Sequence, residues 1–231
     1  MPPGGEINSA NHVLNDHSYC CQLGDGICDS GEPDITRAKD CQKWHELRIK
    51  TRADDAKRLK IPFIVSEFGA CYDSDACAQE INQVLDECDK VLAGWAYWQF
   101  KIFKDLTTTA GTGAEGFYNL DGTLQEKKVK ALSRTYAQRT QGTLKKQSFD
   151  TKTNNFEIEF TYDHSIKAPT VVYGLKNYEE PTFELFDLDD QEIIQGAIWK
   201  QTEHAIEITI DAEIYDGKSV RLQILDKPRA T

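Results

Sequence analysis

The spacing of apolar residues changes partway along this chain, and that change limits the folds open to it. Up to about residue 140, short apolar runs alternate with stripes at helical spacing. Beyond about residue 145, apolar side chains fall on every second position. Strand–helix alternation predicts a parallel sheet with crossover helices. Period-two runs separated by turns predict a small antiparallel β-sandwich. The expected fold class is therefore α/β plus all-β in one chain, divided as 1–144 and 145–231, with the boundary in the polar segment 140–148.

In the first part, residues 12–19 read as the end of a short strand. Residues 41–60 read as a helix with Trp44, Leu47, Ala56 and Leu59 at helical spacing, broken by Pro62. Residues 63–66 form a run expected of a strand buried on both faces, and it ends on a carboxylate, Glu67. From Ala76 to Leu92, one stripe carries Ile81, Val84, Leu85, Cys88, Val91 and Leu92, with Gly94 as its stop. Residues 95–100 are another short strand. Asp121 and Gly122 then lead into a helix over 124–139, with Val129, Leu132 and Tyr136 facing inward. The second part holds strands at 156–163, 170–174, 182–188, 205–211 and 219–226. Phe156, Ile158, Phe160 and Tyr162 share one face of the first of these.

An acid at a strand end is usually just where the chain meets water. Here its placement carries more. In a parallel α/β barrel, active-site side chains sit at the C-terminal ends of strands. Glu67 is at such an end, and so are His17 with Tyr19, and Trp98. Trp95 and Trp98 point to opposite faces of a strand, so one of them belongs to the core.

Composition excludes some functions. The net charge is -11, which argues against nucleic acid and against an anionic membrane surface. No apolar run is long enough for a transmembrane segment. The first residues carry no basic n-region and no apolar h-region. The seven cysteines lie between residues 20 and 88. Cys20, Cys21, Cys28 and Cys41 sit in a Gly- and Asp-rich stretch and, with Cys71 and Cys77, are disulfide candidates of a secreted chain. A bridge between Cys71 and Cys77 closes a small loop after Glu67, and Cys88, on the helical stripe, reads as a buried free thiol. Asp25, Asp29, Glu32 and Asp34 cluster in the 24–34 loop, but the spacing of an EF-hand is not met, and a solvated acidic turn is favoured over calcium. The cysteine spacing lacks the paired units of a zinc site. No metal and no cofactor is called for.

Together, His-Ser-Tyr at 17–19, Ser-Glu-Phe-Gly-Ala at 66–70 and Gly-Trp-Ala-Tyr-Trp-Gln-Phe-Lys at 94–101 resemble the last three strands of a glycoside hydrolase family 5 (β/α)8 TIM barrel. The likeness is to the endoglycoceramidase branch and its glucosylceramidase relatives. A cysteine-bearing loop after the His-x-Tyr strand and a trailing β-domain resemble that branch too. The resemblance implies a retaining glycosidase with Glu67 as its catalytic nucleophile, attacking the anomeric carbon to give a glycosyl-enzyme. It implies substrate-binding roles for His17 and Tyr19, which bracket the nucleophile, and for Trp98 as the floor of the sugar site. Gln99 and Lys101 are further candidates for sugar hydroxyls. The implied substrate is a glycosphingolipid or another β-glycoside, with a β-glucanase or steryl glucosidase of the same family as the alternative, with contact to a lipid surface, in a secreted or lysosomal setting.

The departure from the family is equally informative. Retaining chemistry needs a second carboxyl, the general acid/base, about 5 Å from the first. In this family it stands in an Asn-Glu-Pro motif, and no Asn-Glu-Pro occurs in this chain. Only residues 1–16 precede His17, and their acids are Glu6 and Asp16. A whole barrel takes about 200 residues or more. The expectation is therefore the C-terminal part of a barrel plus an accessory domain, inactive alone. A different class of reading makes the β-domain a glycan- or lipid-binding module, with Tyr173, Tyr178 and Trp199 as its exposed aromatics. A lid packed on the barrel flank is favoured over it.

Overall fold

The computed structural model describes residues 11–20, 34–101 and 115–226. The chain divides into two compact units, the first ending at Leu132 and the second beginning at Ser133.

In the first unit, strands β1 (Leu14–His17), β2 (Phe63–Glu67) and β3 (Gly94–Trp95) form a parallel sheet in the order β1-β2-β3. The crossovers are α1 (Ala38–Leu59) and α2 (Asp75–Val91), and α3 (Glu126–Leu132) follows. Helix α2 begins where the Ser74 side chain accepts the Cys77 N–H at 3.0 Å, a cap worth about 1 kcal/mol. Its stripe of Ile81, Val84, Leu85 and Cys88 is fully buried with Ile49 of α1 and Val65 of β2. Among the described residues, no helix is long and apolar enough to cross a membrane.

Several expectations shift here. The buried face of α1 is Cys41, His45, Ile49 and Ala56, while Leu47 faces solvent. Strand β2 is only partly buried, apart from Val65. Helix α2 stops at Leu92, which takes the left-handed cap conformation with φ 55°, and Gly94 already belongs to β3. The strand expected over 95–100 pairs only at Gly94–Trp95, with a single further bridge from Trp98 to Gly69. The helix expected over 124–139 ends at Leu132. Tyr136 lies instead on strand β4 (Tyr136–Arg139), where pairing with a neighbouring strand outweighs helical spacing.

The second unit is all-β. One antiparallel sheet runs β10 (Ile198–Gln201), β11 (Ala205–Thr209), β7 (Thr170–Tyr173), β4. The other runs β5 (Gly142–Phe149), β6 (Phe156–Tyr162), β12 (Ser219–Asp226), β8 (Pro181–Asp187), β9 (Glu192–Ile193). Phe156, Ile158, Phe160 and Tyr162 of β6 point inward, as their alternation predicts, and so do Val220, Leu222 and Ile224 of β12. They share one core with Val172, Ile206 and Ile208 of the other sheet, which makes the unit a β-sandwich. Both β4 and the start of β5 precede residue 145. The sandwich therefore begins earlier than the period-two pattern suggests.

Gln141, buried between β4 and β5, ties the strands together. Its amide N–H groups donate to the Ile166 and Ile210 carbonyls at 3.0 and 3.2 Å, and its Oε1 accepts the Ile210 N–H at 2.7 Å. Next to it, Gly142 has φ +147°, and a Cβ there would lie 1.9 Å from the Thr161 carbonyl oxygen. Replacing Gly142 by Ala should therefore destabilise the fold by at least the ~1–3 kcal/mol of a strained backbone. Urea denaturation measures it, and a midpoint equal to that of the unmutated chain would show that the β5–β6 approach is looser than described.

Candidate active site

The site begins with a register shift. Along β1 and β2 the partners run Leu14 with Phe63, Asn15 with Ile64 and Asp16 with Val65, but His17 is then opposite Glu67, with Ser66 left over. A bulge of this kind turns the following side chains. Paired residues of parallel strands share a face, so the shift puts His17 and Glu67 together. The ladder continues as Ser18 donates its N–H to the Glu67 carbonyl at 3.0 Å.

Tyr19 Oη donates to Glu67 Oε2 at 3.2 Å, and His17 Nδ1 lies 3.3 Å from the same oxygen. Among the described residues, both partners of this carboxylate fall on Oε2. The Tyr19 phenol is pushed well above its ordinary pKa, first by burial and then by the Glu67 charge. It therefore stays a neutral donor at any physiological pH. Glu67 itself is about a quarter exposed, with side-chain accessibility of 27%. The result is a carboxylate at the C-terminal end of a parallel strand, steadied on one oxygen and accessible to solvent.

The turn after Glu67 explains its Phe-Gly-Ala sequence. Phe68 drops into the core and meets Trp95 and Tyr97 edge-on, with ring centroids 5.9 and 5.6 Å apart. Trp95 is thus the core member of the tryptophan pair. Gly69 has φ +92°, and a Cβ there would stand 2.1 Å from the Tyr97 ring. Only glycine allows that approach. Cys71 and Cys77 are bridged, closing the loop between this turn and α2. Cys20 is bridged to Cys41 of α1, and Cys88 is a buried free thiol. Cys21, Cys28 and the acids of the 24–34 loop other than Asp34 lie outside the described residues.

Of the other expected sugar contacts, Trp98 is half-buried three residues past β3, at its bridge to Gly69, and its carbonyl accepts the Ala70 N–H at 3.3 Å. Gln99 is another candidate on this segment. It is buried, and its side-chain amide donates to Glu115 Oε2 at 2.9 Å rather than standing open to a ligand. Lys101 is exposed. Sequence reasoning missed Glu115, a buried carboxylate whose charge also raises the Tyr19 phenol. It also missed Arg48, which donates to the His17 carbonyl at 2.6 Å and to Asp16 at 2.7 Å. Among the described residues, no cluster of His, Cys, Asp and Glu has the grouping of a metal site.

Residues 134–211 match the glycoside hydrolase family 5 C-terminal domain. Endoglycoceramidase I of Rhodococcus hoagii (strain 103S) is 26% identical over 167 residues, which cover 72% of this chain and 29% of that protein. The likeness is to the endoglycoceramidase-like branch of glycoside hydrolase family 5. Endo-glycoceramidase II from Rhodococcus sp., solved as a lactosyl-enzyme intermediate, superposes with a TM-score of 0.60 at 20% identity, covering 81% of this chain and 38% of that one. Cryptococcus neoformans sterylglucosidase 1 superposes with a TM-score of 0.60 at 13% identity, covering 80% and 32%. At these identities the structural likeness speaks for the fold. The chain spans about a third of the length of these relatives.

Alkylation of the folded, unreduced protein should leave Cys20, Cys41, Cys71 and Cys77 unmodified. Cys88 should react only after denaturation. Peptide mapping that finds alkylated Cys71 or Cys77 without reductant would reject the bridge beside Glu67.

Proposed function

We propose that Glu67 is the nucleophile of a retaining β-glycosidase site and that the first unit is the last third of a (β/α)8 barrel. The observation that carries this reading is the Glu67 carboxylate, held on Oε2 by Tyr19 and His17 at the end of a parallel strand. A carboxylate with one oxygen steadied and the face of the group open to solvent is suited to attack an anomeric carbon. The lactosyl-enzyme of the Rhodococcus relative supports a covalent intermediate. Trp98 supplies an apolar face for the sugar.

The proposed substrate is a glycosphingolipid, supported by the names of the endoglycoceramidase relatives. A second reading is a steryl β-glucoside, favoured by the sterylglucosidase likeness. Both place a sugar on an apolar aglycone, so the substrate is presented at a lipid surface. The two bridges, Cys20–Cys41 and Cys71–Cys77, support a secreted or lysosomal setting. For the sandwich, Tyr173 and Trp199 are exposed, as a glycan- or lipid-binding face requires, whereas Tyr178 is buried and takes no part in one.

This chain alone should not turn over an aryl β-glucoside or glucosylceramide. The sequence holds no Asn-Glu-Pro to protonate the leaving oxygen, and general acid catalysis contributes about 10²–10⁴-fold. Robust hydrolysis that disappears in Glu67→Gln would reveal an acid within the 231 residues and overturn the inactivity.

The nucleophile is tested separately from the acid. A 2-deoxy-2-fluoro-β-glucoside with a dinitrophenolate leaving group needs no proton donor. It should form one covalent adduct, mapped to the peptide that contains Glu67, and none in Glu67→Gln. An absent adduct at saturating reagent, or one on another residue, rejects Glu67 as the nucleophile. Tyr19→Phe removes a hydrogen bond to a charged group, worth about 1.5–3 kcal/mol, and should slow labelling by about 10- to 100-fold. An unchanged rate would mean that the Tyr19 contact does not assist attack.

A further inference from the structure

Three buried polar side chains lie just behind the strand end, and the chemistry above does not use them. Ser18 Oγ and His45 Nδ1 share a hydrogen bond of 2.8 Å. His45 Nε2 lies 3.6 Å from Glu80 Oε1, and that oxygen accepts the Cys20 N–H at 3.1 Å. Ser18, His45 and Glu80 are each 3% exposed or less. The order Ser–His–Glu invites comparison with a hydrolytic triad. A hydroxyl so buried has no substrate to attack, so that comparison fails.

We infer that His45 and Glu80 are positioning residues for Glu67, acting through the 17–20 segment. The inference rests on Glu67 being the nucleophile. Side chains along an extended segment alternate in direction. Here His17 and Tyr19 turn to Glu67, while Ser18 and Cys20 turn to the helices. His45 of α1 grips Ser18 by its hydroxyl. Glu80 of α2 grips Cys20 by its backbone N–H, and the Cys20–Cys41 bridge fixes the same residue to α1. Tyr19 lies between the two grips. Its phenol reaches Glu67 only while both neighbours are held.

Burying an imidazole and a carboxylate is costly, and apolar side chains of the same volume would fill the space without that cost. What the polar pair supplies and an apolar pair does not is a fixed rotation of the 18–20 backbone. A displacement of 1 Å at a reacting group can cost about 10²-fold in rate.

The test labels the full chain with the activated 2-fluoroglucoside and follows the rate at saturating reagent. Glu80→Gln keeps an oxygen acceptor for the Cys20 N–H and should label within about threefold of the unmutated chain. Glu80→Leu matches the volume without the acceptor and should label about tenfold more slowly or worse. Ser18→Ala removes one hydroxyl, folds on any account of the core, and should slow labelling by a few-fold. Equal rates for Glu80→Gln and Glu80→Leu, or for Ser18→Ala and the unmutated chain, would overturn the inference.

If the unmutated chain takes no label, the nucleophile reading has failed, and the positioning claim is decided by spectroscopy. The ¹³C signals of the Glu67 carboxyl and the Tyr19 ring, assigned with Glu67→Gln and Tyr19→Phe, should move in Ser18→Ala and Glu80→Leu and stay in place in Glu80→Gln. Unmoved signals in Ser18→Ala would reject a positioning role.

Discussion

The contact of Tyr19 and His17 with one carboxylate oxygen depends on the parallel order of β1, β2 and β3. In an antiparallel sheet, successive strands would deliver their ends to opposite edges. Parallel order brings the His17–Tyr19 segment, Glu67 and Trp98 to the same edge, and the crossover helices α1 and α2 are the means of returning the chain. The bulge at Ser66 then corrects the phase, so that His17 and Glu67 share a face. The Phe68–Gly69 turn commits the chain to the core immediately afterwards, under the Tyr97 ring. Each device acts within a few residues of the carboxylate, which is why the site is compact although its parts are far apart in sequence.

The second unit reaches order by other means. Its core is filled by the inward faces of two antiparallel sheets, and several of its strand pairs, β4–β7, β7–β11, β6–β12 and β8–β12, join strands that are far apart along the chain. Among its buried polar groups, Gln141 and the Tyr162 hydroxyl meet the Ile210 backbone. Those buried groups are hydrogen-bonded, as burial demands. Residues 134–211 of this unit are those that match the glycoside hydrolase family 5 C-terminal domain.

Period-two alternation over β6, β11 and β12 was readable because one face of each strand is dry, and dryness leaves its mark on every second residue. The loop bridge at Cys71–Cys77 was readable because its two ends are close in sequence. The end of α3 was not. Val129, Leu132 and Tyr136 keep helical spacing, yet the pairing of Tyr136–Arg139 with β7 is a long-range event that local periodicity does not record. The pairing of Gln99 with Glu115 was not readable either, because the two residues are 16 positions apart in sequence. His45 and Glu80 did leave a signal. His45 falls between Cys41 and Ile49 on the buried stripe of α1, and Glu80 sits one turn before Val84 on that of α2. A polar residue on an apolar stripe asks for a partner. Sequence alone does not say that the partners are Ser18 and the Cys20 backbone.

If Glu67 is the nucleophile proposed above, the choice of Tyr19 as its donor has its own logic. An attacking carboxylate must be ionised before reaction and must lose its charge as the ester forms. An arginine in the same place would hold the charge by a bidentate ion pair, and that stabilisation would have to be given up on the way to the transition state. A neutral phenol holds the oxygen in place with a single hydrogen bond, and less is surrendered as the charge moves to the sugar. Burial keeps the phenol from ionising, and the Glu67 charge reinforces that. On the proposed reading, the arrangement steadies the carboxylate without binding its ground state too tightly, which is the condition a nucleophilic carboxylate must satisfy.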